Sequence, residues 1–124
     1  MVLSAGLLAT PLVSCRPSGK DAGGLLIACD VTPQPLRVGP AAITVRIEGT
    51  RSEPGTGAHV SLEGDMSHPG MAPVFSEARE VAPGKYRGVL TLSMGGDWVL
   101  LVHVTLSGGR TLVRTFPLNG VAAS

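Results

Sequence analysis

Nine residues, Trp98 to Leu106, carry an apolar side chain at every even position, and a period of two recurs along much of this chain. That is the period of an extended strand, whose successive side chains face opposite sides, whereas a helix repeats every 3.6 residues. Ile43 to Glu48 alternates cleanly, odd positions apolar and even positions polar, as expected of a strand with one wet face. From His59 to Met66 the phase inverts: Val60, Leu62, Gly64 and Met66 share one face, and His59, Ser61, Glu63 and Asp65 the other. Met66 should therefore point toward the core at the end of its strand. Tyr86 to Met94 aligns Leu90, Leu92 and Met94, and Thr111 to Phe116 follows Gly108-Gly109, a hairpin signal. Adding Leu25 to Val31 and a weaker strand at Phe75 to Val81 gives about seven strands. The chain's 17 Gly and 10 Pro suit tight turns between short strands better than long helices. The expectation is an all-β, immunoglobulin-like β-sandwich, without the Cys to Trp to Cys spacing of antibody domains.

A length of 124 residues is enough for one core, since two would each approach the size at which burial fails to stabilise a fold. A net charge of +1, with 15% charged residues, provides no basic stripe for nucleic acid, which is not expected as a partner. Residues 1–14, MVLSAGLLATPLVS, contain no charge and read as a secretory leader too short to span a bilayer as a helix. The leader's end, Leu12-Val13-Ser14-Cys15, resembles the lipobox of bacterial lipoproteins, although no Lys or Arg stands near Met1. That resemblance implies cleavage before Cys15, acylation of its thiol and anchoring to the outer side of a bacterial membrane. Residues 15–24 then form a flexible tether, 25–119 the folded domain and 120–124 a tail. Cys29 shares parity with Leu25, Ile27 and Val31 and is expected to be a buried, unpaired small hydrophobe. A Cys15–Cys29 disulfide is the alternative if Cys15 is not acylated.

The chemistry-bearing stretch is "DMSHPGMAPV", residues 65–74, which gathers two methionines and a histidine. His68-Pro69-Gly70-Met71 has the composition of a type II turn: proline fixes φ at the second position and glycine supplies positive φ at the third. Such a turn brings His68 close to Met71, and alternation puts Met66 on the same side. Two thioethers and an imidazole make a soft donor set that favours Cu(I). Met94, before Gly95-Gly96, is a candidate fourth ligand; His59 and His103 are expected to be solvated or partly buried rather than ligating. The competing reading is packing, because methionine readily fills irregular space around a core. No nucleophile elbow, CxxC, HExxH or phosphate loop is present, so no enzymatic activity is expected.

The run GDMSHPGMAPV followed by APGKYRGVLTLSMGGDWVLLVHVTL resembles the YtkA-like family, small exported or membrane-tethered β-sandwich domains related to the FixH proteins of oxidase assembly. Pro83-Gly84-Lys85-Tyr86 and Met94-Gly95-Gly96-Asp97-Trp98 carry most of the likeness. By analogy with periplasmic copper chaperones, the resemblance implies metal handling, with copper ion as cargo and an envelope oxidase or copper-accepting protein as partner. A metal-free, lipid-anchored interaction module is the alternative.

Overall fold

The computed structural model describes the backbone of Ser14 and Cys15, residues 24–67 and residues 70–123. The leader up to Val13, most of the tether and His68 lie outside the described residues. Among those described there is no helix. The strands are β1 (Ser14–Cys15), β2 (Leu26–Thr32), β3 (Gly39–Glu48), β4 (His59–Met66), β5 (Val74–Ala82), β6 (Lys85–Leu92), β7 (Gly96–Thr105) and β8 (Thr111–Val121). Apart from the two-residue β1, these are the seven strands expected from the alternation.

Every strand pairing is antiparallel, in the order β1-β2-β3-β6-β5-β4-β7-β8. β5 makes the corner. Its first half, Val74 to Ala78, lies against Gly64 to Val60 of β4, while Arg79 to Ala82 lies against β6 with a bulge between Glu80 and Ala82. The sheet therefore folds over on itself, with β2, β3 and β6 on one side and β4, β7 and β8 on the other. Gly88 sits under that corner: a Cβ there would come within 2.6 Å of the Glu77 carbonyl oxygen and 2.9 Å of Leu62 Cδ1. At the far edges Arg37 forms a parallel bridge with Ala122. Val38 N–H donates to the Ala122 carbonyl (2.8 Å) and Ala122 N–H to that of Leu36 (3.0 Å), so the sheet is nearly closed.

Alternation becomes burial as expected. Ile43, Val45 and Ile47 meet Val60, Leu62, Leu90 and Leu92 in the core, and every even residue from Trp98 to Leu106 is buried. Three expectations need correction. β8 continues past Phe116 and past residue 119 to Val121, which is buried, and Ala122 bridges to Arg37, so residues 120–122 belong to the sheet rather than to a tail. β6 ends at Leu92, so alternation does not carry Met94 to the core rim, and it is 46% exposed. Cys29 is buried as foreseen, but it is disulfide-bonded rather than free. The chain has two cysteines, and the backbone of the other, Cys15, stands directly opposite Cys29 in the β1–β2 register.

The end of the sandwich where β4 and β6 begin is fixed by polar side chains bonded to the connecting segments, Tyr86 buried and Glu80 and Arg110 exposed. The buried Tyr86 hydroxyl donates to the Gly55 carbonyl (2.7 Å) and accepts from Ala58 N–H (2.9 Å), pinning the β3–β4 connection. Glu80 accepts from Gly57 N–H and Gly84 N–H, and Arg110 pairs with Glu53 at 2.7 Å. Pro83-Gly84-Lys85-Tyr86 is thus a folding element: Gly84 turns the chain and its carbonyl receives Ile47 N–H.

Candidate functional site

The candidate residues lie at the opposite end, where β4 stops and β7 starts. Met66 stands across from Trp98 in the β4–β7 ladder, half-buried and packed against the core. A Cβ on Gly96 would lie only 3.3 Å from the Met66 methyl carbon, so the small residue makes room for the thioether's end. The segment 94–98 ties its surroundings together through both side-chain and backbone groups. Trp98 Nε1–H donates to the Met94 carbonyl (2.9 Å), and Gly120 N–H to Asp97 Oδ1 (2.9 Å). The Asp97 carbonyl accepts long bonds from Ser67 N–H (3.4 Å) and Ser67 Oγ (3.3 Å). These bonds fix Met66 and the Met94 backbone at one end of the sandwich.

Gly70 has φ +86°, the value required at the third position of a type II turn. Met71, the residue after it, is 38% exposed. The packing reading thus separates the methionines: it accounts for Met66, which fills a gap beside Trp98, and not for Met71 or Met94, which are open to solvent. Thioethers held at a surface are costly as filler and accessible as donors. Among the described residues no three His, Cys, Asp or Glu side chains group in a way that could hold a metal ion.

The other histidines are engaged elsewhere. His59 Nε2 lies 2.7 Å from Glu77 Oε1, and His59 begins the strand that Met66 ends, about 23 Å away at roughly 3.3 Å per residue. His103 Nε2 lies 2.8 Å from Glu63 Oε1. Glu63 also shares a hydrogen bond with Asp65, the next residue on the same face. Burial of the Asp65 carboxyl, that bond and the nearby Glu63 charge raise its pKa against the opposing pull of His103. Asp65 Oδ1 is buried with no partner. This chain of two acids and an imidazole was missed in the sequence, where alternation marked its positions simply as a wet face. The available signal was the pair of acids two residues apart, which any strand places side by side.

The described residues thus define a small all-β sandwich, one end pinned by polar side chains and the other presenting methionine. Within that class the chain belongs to the YtkA-like family, whose model matches residues 27–103, from β2 into β7. The matched span includes the methionine and histidine segment and both glycine-rich turns. Comparison with curated proteins gave no match, and comparison with solved structures gave none.

Proposed function

We propose that this protein handles copper outside the cytoplasm, binding Cu(I) through Met66, His68 and Met71 with Met94 as a fourth donor. Its role on this reading is copper trafficking or the assembly of a respiratory oxidase. The observation that carries the reading is the exposure of Met71 and Met94 at the end where Met66 is held beside Trp98 and Gly70 turns the chain. Thioether and imidazole donors would hold the reduced ion and disfavour harder divalent cations. A disulfide-bonded Cys29 supports an oxidising compartment, as the uncharged leader does. The acyl anchor proposed at Cys15 competes with that bridge, because one thiol serves one or the other. Intact-mass measurement of the native protein separates a lipid-modified terminus from a bridged pair.

Competition for Cu(I) against a chromophoric chelator tests the site. The full chain should take up one equivalent, and M66L/M71L, whose volumes barely change, should stay folded and lose it. Parental affinity in the double variant would leave the methionines as packing and favour a metal-free assembly module.

A further inference from the structure

The outer face of β3, β5 and β6 carries a pattern that the copper reading does not use. Side chains opposite the buried Tyr86, Leu90 and Leu92 present Lys85, Arg87 and Val89 outward on β6. The register places Ala42 beside Val89, Arg46 beside Lys85, and Arg79 directly across from Arg87. Val81 and Val89 are 54% and 53% exposed. They help to line two shallow, adjoining hollows of about 510 and 260 Å³, whose other walls include Pro33, Pro40, Arg37 and Arg87. Arg46 is neutralised by Asp30 at 2.7 Å. Among the described residues no carboxylate pairs with Arg37, Arg79, Lys85 or Arg87. Like charges directly across a ladder are unfavourable, so Arg79 against Arg87 is a local cost that an external anion would relieve.

We propose that this face rests on an anionic phospholipid surface, its arginines on headgroup phosphates and Val81 and Val89 at the acyl boundary. Three observations select a bilayer over other occupants. At the centre of the patch, Lys85 to Arg87 of β6 pair with β3 on one side and β5 on the other, so an extended peptide would find no free backbone ladder beside the arginines. A second copy docking face to face would oppose cation to cation. Guanidinium groups match phosphate oxygens in geometry as well as charge, and exposed aliphatics between them gain by leaving water. The contact does not depend on acylation of Cys15 or on copper.

The test is sedimentation of the full, unacylated chain with phosphatidylcholine vesicles and with vesicles also containing phosphatidylglycerol. Any affinity of the apolar leader is common to both vesicle types and to all variants, so the readout is the difference between them. The chain should bind the anionic vesicles more strongly, and added salt should weaken that preference. R79Q/R87Q should lower the preference about thirtyfold, about fivefold per arginine. The same variant should melt no lower than the parent, because it relieves a like-charge pair. Equal binding to both vesicle types, or an unchanged preference in R79Q/R87Q, overturns the proposal. A parent that self-associates without vesicles and a variant that does not would also overturn it, assigning the face to a second copy.

Discussion

The two ends of this sandwich use similar turns for different purposes. At the Tyr86 end the side chains of Tyr86, Glu80 and Arg110 satisfy the connecting segments with bonds of 2.7 to 3.1 Å. At the Met66 end the Trp98 indole, the Asp97 carboxylate and main-chain carbonyls provide the ties, Ser67 is held by longer bonds, Met66 packs against the core, and Met71 and Met94 are exposed. One end therefore commits its polar side chains to structure. The other leaves the Met71 and Met94 side chains exposed. Recurrence of a turn in a family thus says little about function until its side chains are followed to their partners.

The sharpest way to break this comparison is to remove the buried indole on which the methionine end rests. Trp98 is fully buried and holds the Met94 carbonyl, so Trp98→Ala should cost about 3 to 5 kcal/mol in chemical denaturation. A loss under about 1 kcal/mol would mean that the methionine end is supported by something else. Next in size is Tyr86→Phe, which keeps the ring and strips the hydroxyl from Gly55 and Ala58. Leaving those groups unpaired should cost about 1 to 3 kcal/mol, with exchange of the Ala58 amide accelerated and cooperativity preserved.

The smallest effect separates the ends by the sign of their response to acid. Hydrogen bonds from Gly84 and Gly57 hold the Glu80 carboxyl below its ordinary value of 4.5. Its stabilisation is present above that value and is lost as pH falls through the lowered one. Asp65 is the reverse, raised above 3.8 chiefly by burial, so its folded form takes up a proton before its unfolded form does. Its penalty is absent below 3.8 and sets in as pH rises through the raised value. Asp65→Asn should therefore raise the neutral-pH melting temperature and remove that component of the pH dependence, while Glu80→Gln should lower it. Melting curves from pH 3 to 7 that shift in the same direction for both variants would contradict the assignment.

Much of the architecture was legible because burial writes itself into alternate positions. Ile43, Val45 and Ile47, or Trp98 through Leu106, could not share a face in any other regular structure. β8 was read short because Pro117 and Gly120 look like stops, yet a proline is tolerated on an edge strand, and β8 is one. β5 gave a weak signal for a related reason: a strand that changes partners midway has no single buried face, and Phe75, Val81 and Ala82 are exposed. The candidate stretch stood out in composition, and Gly70 has the positive φ expected of it, but the exposure of its methionines was not legible. Alternation projected Met94 onto the core because nothing in Leu92-Ser93-Met94 announces that the strand has already ended. Nor could it show that Glu63 and Asp65 share one another's company with His103 rather than water's.

The stitch between residues 36–38 and Ala122 has a consequence in time. Its partners lie almost the whole described domain apart in sequence, and β8 adds Phe116, Leu118 and Val121 to the core only when it docks on β7. Contacts between distant segments pay their loop-closure entropy before they return any energy, which slows folding to milliseconds or longer. A chain still lacking residues 111–122 can pair β2 with β3 and β4 with β5, yet it keeps the β7 edge open and the sheet unclosed. Completion by the last strand makes closure of the sheet a late event in folding.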